Sequence, residues 1–216
     1  MERTLKITGK GTLAVTPDII ILSFEAEAHK WEYEKTILSL NKKVEQLRAL
    51  LEAEGIARTS LKTKDFRVRK ETIYNKTTST YDFNGFGASH SLEVELPLDK
   101  ELINRVLSKI ASHIKALDFN IAFGVKDAAA HQQQLLQLAI SKAKENATII
   151  ATTTGVELQE ILDIDYSFRE IVIRSQRYSN ALYEADMMMD AAAPSVDFEA
   201  DDIDVNETIT ITWRIS

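Results

Sequence analysis

"ITGKGTLAVTPDIIILSFEAEA", residues 7–28, decides the fold. Leu5, Ile7, Leu13 and Val15 share one parity, with Gly9 and Gly11 on the same face. That alternation predicts a strand with one buried face. Glycine inside a strand marks a bulge or the close approach of another backbone. Thr16-Pro17-Asp18-Ile19 follows. Proline pre-sets φ for the second position of a type I turn and Asp is comfortable beside it, so a tight corner is expected here. Ile20, Leu22, Phe24, Ala26 and Ala28 then alternate with Ser23, Glu25 and Glu27, a second strand with one buried face. Asp18 reads as turn chemistry. A catalytic base would need a partner, and none lies nearby in the sequence.

Working outward, Tyr33, Ile37, Leu40, Val44, Leu47 and Leu51 form one stripe of a helix over 32–54, closed by Gly55. Residues 61–74 and 81–96 read as two long strands around the polar loop "NKTTST", a long hairpin. Asp99 caps a shorter helix through about residue 112, and 114–125 is a strand. Asp127 caps the longest helix, 128–154, where Ala139, Ala143 and Ala147 form a ridge that lets a neighbouring element come close. Gly155 ends it, 158–168 is a strand, and 203–215 is the last strand. Helix, closing glycine, strand, polar excursion and strand thus occur twice, with Gly55 and Gly155 at equivalent points. This predicts a single domain over 1–216 made of two pseudo-repeats, about 1–98 and 99–216. The excursion at 169–202 is too long for an ordinary connection. It starts basic and becomes acidic and methionine-rich, and is expected to be mobile or ordered by a partner.

A chain of 216 residues with 44% apolar and 27% charged residues can bury a core without covalent staples. Its net charge of −7 disfavours the phosphate neutralisation that dominates nucleic-acid binding, so no nucleic-acid partner is expected. The absence of cysteine excludes disulfides, thiolate metal sites and cysteine nucleophiles. No apolar stretch reaches the ~20 residues of a spanning helix. "MERTLKITGK" has no signal-peptide core. That places the protein in the cytoplasm if Met1 is the natural start, and in the periplasm or outside the cell if a leader was trimmed.

Motifs of chemistry are weak. "GFGASH" (85–90) has the first two glycines of a dinucleotide fingerprint, but His90 stands at the third and the segment lies inside a strand. These read as glycines where a strand bends. His29, His90, His113 and His131 show no metal-ligand spacing. Asp197, Glu199, Asp201, Asp202, Asp204 and Glu207 lack the glycine-turned loop of a calcium site and read as a solvated acidic loop. "DMMMD" (186–190) reads as an adaptable contact surface or an apolar plug. No catalytic, cofactor-binding or metal residues are assigned, no cofactor is expected, and the protein is not expected to be an enzyme.

The opening stretch, then "LEAEGI", "LKT", "YDFNGFGASHSLEVEL" and "FGVKDAAAHQQQLLQLAISKAKENATIIATTTGVELQEILDI", together resemble the SIMPL-domain family, also called domain of unknown function 541. The resemblance covers about residues 4–168 and 203–216, and the start is similar to a cytoplasmic, leaderless branch of bacterial members. Gly9, Gly11, Pro17, Asp18, Gly55, Gly85, Asp127 and Gly155 match its pattern. The resemblance implies proteins of the bacterial envelope or of oxidative-stress defence, relatives that assemble into large homo-oligomers, and no established catalytic residues. The expectation is therefore an α+β protein: antiparallel strands in one extended sheet or two linked sheets, with two long helices and a shorter one packed on one face. Its expected role is a non-enzymatic homo-oligomer or protein-interaction module. The alternative is a protein that binds a small ligand or a divalent metal.

Overall fold

A computed structural model describes residues 3–114, 117–175, 178–179 and 199–216. The chain is α+β, with eight strands, three helices and one short 3-10 turn at Arg58–Ser60 among the described residues. The strands are β1 (Thr4–Val15), β2 (Ile19–Lys30), β3 (Lys62–Asn75), β4 (Thr80–Pro97), β5 (Leu117–Gly124), β6 (Leu158–Asp165), β7 (Tyr178–Ser179) and β8 (Ile203–Ile215). The helices are α1 (Tyr33–Ala53), α2 (Lys100–His113) and α3 (Ala128–Thr154). Of the two sheets, one has three strands in the order β1-β8-β6 and the other five in the order β3-β4-β2-β5-β7. Two compact units follow: 1–18, 124–175 and 200–216 in one, 19–123 and 176–199 in the other.

In the first unit, β1 pairs along its whole length with β8, from Thr4 opposite Arg214 to Val15 opposite Ile203. β6 pairs with the other edge of β8. Helix α3 lies on one face of this sheet. Its alanine ridge is fully buried, with Ala139, Ala143 and Ala147 packed against Ile209, Ile211 and Trp213. The two glycines of β1 account for the close approach. A Cβ on Gly9 would lie 2.1 Å from the Ala139 carbonyl oxygen, and one on Gly11 2.2 Å from that of Leu135. Small residues on both partners therefore set the spacing of helix and sheet. Asp127 caps α3 by accepting from the Ala130 N–H, and Gly155 ends it in the left-handed conformation, φ 71°.

The expected tight corner at residues 16–19 is not formed. Residues 16–18 carry no hydrogen-bonded turn, and β1 and β2 belong to different sheets. Asp18 forms a latch instead. Its N–H donates to the Gly124 carbonyl (3.0 Å), and its carboxylate accepts from the Lys126 N–H (2.8 Å). Asp18 thus ties the end of the first crossing to residues 124–126, more than a hundred positions along the chain. Such long-range pairing has no local sequence signal.

In the second unit, β2 runs through the middle, antiparallel to β4 from Ile19 opposite Pro97 to Lys30 opposite Phe86. Its even positions Ile20, Leu22, Phe24 and Ala26 are buried, and α1 packs on β2 and β4 through a face that buries Leu40, Val44, Leu47 and Leu51. α2, capped by Asp99 through the Glu101 and Leu102 N–H groups, packs on α1. Beyond Gly55 in α1's closing turn, β3 and β4 form the expected long hairpin, from Lys62 opposite Glu93 to Asn75 opposite Thr80.

Glu54, at the end of α1, has a nearly buried carboxylate that accepts from Lys109 and from Arg105 (3.2 Å), both on α2. The Lys109 bond holds the carboxyl below its ordinary 4.5, burial opposes this, and Arg105 adds to the lowering. A carboxyl lowered in the fold contributes stability that is complete above its unfolded value. That stability is lost as pH falls from about 4.5 toward the folded value. Glu54→Gln is expected to flatten the acid limb of a stability-versus-pH curve below about 4.5. An unchanged limb would show that the cluster contributes nothing to the linkage.

Candidate functional site

Two surfaces of the five-stranded unit stand out, and both arise from strand periodicity. On the face opposite α1, the odd positions of β2 present Glu25, Glu27 and His29. Across β4 they meet Ser91, Ser89 and Gly87, and beyond those Asp65, Arg67 and Arg69 on β3. Glu25, Glu27, His29, Arg67, Arg69 and Glu71 line an open cleft of about 510 Å³. One wall is acidic and the opposite wall basic. The floor is Gly87, Ala88 and Ser89.

Local irregularity shapes one end of this cleft. A register shift between Lys70 and Thr72 re-aims Glu71 across β4. Its carboxylate lies over Gly87, where a Cβ would come within 2.2 Å of Oε1, and reaches to 3.4 Å from His29 Nε2. His29 Nε2 is also 2.6 Å from the Asn84 carbonyl, so this nitrogen carries the proton and donates. Arg69 Nε is 3.4 Å from Glu71 on the other side. On the acidic wall, the Ser91 hydroxyl donates to Glu25 (2.5 Å) and Lys43 donates to the Glu27 carbonyl (2.7 Å). The groups are suited to holding a ligand with separated positive and negative charges.

The second surface is at the far end of the hairpin. β2 ends opposite Phe86, so residues 72–75 and 80–83 pair only with each other. There the Tyr74 and Tyr81 rings pack at a tilt of 60° (5.3 Å between rings), and Phe83 meets Trp31 edge-on at 5.7 Å and Phe86 at 5.4 Å. Lys70 lies over the Phe83 ring. This cluster is not a core: Trp31 is 64% exposed and Tyr81 72%, with Tyr74 and Phe83 also open to solvent.

The sequence candidates do not converge on one place. His29 lies in the cleft. His90 is on the α1 face, with Nε2 2.9 Å from the Thr63 hydroxyl, Nδ1 buried without a partner and Phe66 edge-on beside it. Burial, then Arg48, pushes its pKa down. His113 closes α2 with Nδ1 against the Lys109 carbonyl, and His131 is on α3. Asp202 accepts from the Thr16 hydroxyl (2.7 Å), while Asp204 and Glu207 lie in β8. Asp197 and the 186–190 methionine run lie outside the described residues, as does most of the excursion. Among the described residues no group of three His, Asp or Glu is arranged to hold a metal. Among them, too, no helix is long and apolar enough to cross a membrane. The glycines of "GFGASH" serve the strand, with Gly85 at φ 92°.

A protein built this way has two sheet units, a cleft with one acidic and one basic wall, and an exposed aromatic surface. The SIMPL family model, described as "Protein of unknown function (DUF541)", matches residues 5–213, and the chain belongs to that family. No curated protein matches it. Among solved structures, a phage SAM lyase in complex with S-methyl-5'-thioadenosine aligns at 10% identity and a TM-score of 0.28. The alignment covers 50% of this chain and 84% of that one, a likeness too low to bear on fold or activity.

Proposed function

We propose that this protein is a homo-oligomeric assembly protein without catalytic activity of its own. The observation that carries this reading is the exposed aromatic cluster of Trp31, Tyr74, Tyr81 and Phe83 on the hairpin. Contiguous apolar surface of this kind is uncommon on monomers and marks contact sites. Tyr and Trp are also the residues that dominate interface energetics. A stress-defence or envelope setting rests on the family resemblance alone. The test is native mass by light scattering for the wild-type chain and for Tyr74→Ser/Tyr81→Ser. The wild type is expected at several times 24.3 kDa and the variant at a lower mass. A wild type that stays monomeric at tens of micromolar removes the proposal.

The bipolar cleft supports a second reading, binding of a small ligand that carries both charges. Glu25 and Glu27 would take its cationic end and Arg67 and Arg69 its anionic end. A thermal-shift panel of amino acids, short peptides and divalent cations checks it. A panel with no shift above noise counts against it.

A further inference from the structure

We infer that copies of this protein join edge to edge, β3 of one against β6 of the next. The inference rests on the assembly reading above and names its contact. Among the described residues, β3 is an edge strand of the five-stranded sheet and β6 an edge strand of the three-stranded sheet. An edge strand offers a row of unpaired N–H and C=O groups, and proteins that do not use such an edge usually blunt or cover it. β6 is not blunted: after Leu158 every residue is exposed, Ile161, Leu162 and Ile164 included. β3 is similarly open, with Phe66 exposed.

The two edges match in charge and in face. Asp163 and Asp165 stand opposite Thr212 and Thr210, on the sheet face away from α3, while Ile164 stands opposite the buried Ile211 on the α3 face. On β3, Arg67 and Arg69 stand opposite Ser89 and Gly87 on the cleft face, while Val68 stands opposite Ala88 on the α1 face. Antiparallel pairing sets Asp163 against Arg69, Ile164 against Val68 and Asp165 against Arg67. Each opposite-charge pair then lies on the polar face and the aliphatic pair on the helix-covered face. Directly opposite pairs of these kinds are the units that stabilise a sheet. Among the described residues, Arg67 and Arg69 pair with Asp65 and Glu71, their neighbours on the same strand, and both side chains are more than three-quarters exposed. They are free to swing to a new partner.

β3 against itself about Phe66 would also set Asp65 against Arg67, as a two-fold contact that leaves β6 unused; the other edges fit less well. β1 carries its lysines, Lys6 and Lys10, four residues apart on either side of Thr8, and β7 has two residues. β6 against β6 would oppose like charges. The β3–β6 contact is heterologous, head to tail. Such contacts build closed rings or open filaments, not simple two-fold dimers.

A charge exchange tests this. Arg67→Glu/Arg69→Glu makes both edges acidic, and Asp163→Arg/Asp165→Arg makes both basic. Each variant alone is expected at a lower mass than the wild type, with unchanged far-UV circular dichroism, since all four positions are at the surface. An equal mixture restores the wild-type mass, because each acidic edge again meets a basic one. If the wild type assembles and both variants keep its mass, the assembly reading stands and this contact is wrong. If only Arg67→Glu/Arg69→Glu loses mass, β3 does not pair with β6. If both variants lose mass and the mixture does not regain it, complementarity between these edges is refuted. A monomeric wild type removes both the contact and the assembly it rests on.

Discussion

Gly9→Val is expected to cost about 3 kcal/mol, the upper end for overpacking a filled interior, and to lower the melting temperature by roughly 6–12 °C at this chain length. The clash is with backbone. A Cβ at Gly9 falls 2.1 Å from the Ala139 carbonyl oxygen and 2.6 Å from the Ala143 nitrogen. No rotamer change relieves that, so α3 must move off the sheet, and the alanine ridge loses its contact with Ile209, Ile211 and Trp213. The control is Lys10→Val, one residue on and pointing to the open face, expected within about 0.5 kcal/mol of wild type. Thermal melts followed by circular dichroism compare the two. Equal melting temperatures for Gly9→Val and wild type would mean that helix and strand are not held at this distance.

Phe24→Ala is the second large effect, a loss of about 3–5 kcal/mol as for other buried aromatic truncations. Phe24 is only 2% exposed on the middle strand of the five-stranded sheet, opposite Leu92, which is equally buried. Removing the ring leaves a cavity between α1 and strands that are paired on both sides. Leu38→Ala removes an aliphatic side chain from a position 68% exposed on α1, and its stability is expected to change by less than about 1 kcal/mol. Urea titration at fixed protein concentration separates them. A Phe24→Ala midpoint close to that of Leu38→Ala would displace the core from β2.

The elements themselves were largely legible. Leu40, Val44, Leu47 and Leu51 gave α1 its buried stripe, and Asp99, Asp127, Gly55 and Gly155 marked helix ends. The two glycines of β1 and the alanine ridge of α3 both signalled close approach from opposite sides of one contact. Sequence periodicity could not say that they meet each other, because the contact joins residues some 130 positions apart. The same limit explains the corner at Thr16-Pro17-Asp18. Proline and aspartate carry turn chemistry locally, but the partner that uses Asp18 is the Lys126 N–H. The cleft left a faint trace, the paired charges Glu25/Glu27 and Arg67/Arg69 at strand spacing. Their convergence depended on register across β4, and Glu71 reached the site only through a break in that register.

Self-assembly is the central claim, and the native mass of the wild-type chain across a tenfold dilution tests it most directly, read by size-exclusion chromatography with light scattering at low and high salt. The expected result is a mass several times 24.3 kDa that holds on dilution at low salt and falls as salt screens the charged contacts. A single species at 24.3 kDa under every condition would contradict the account.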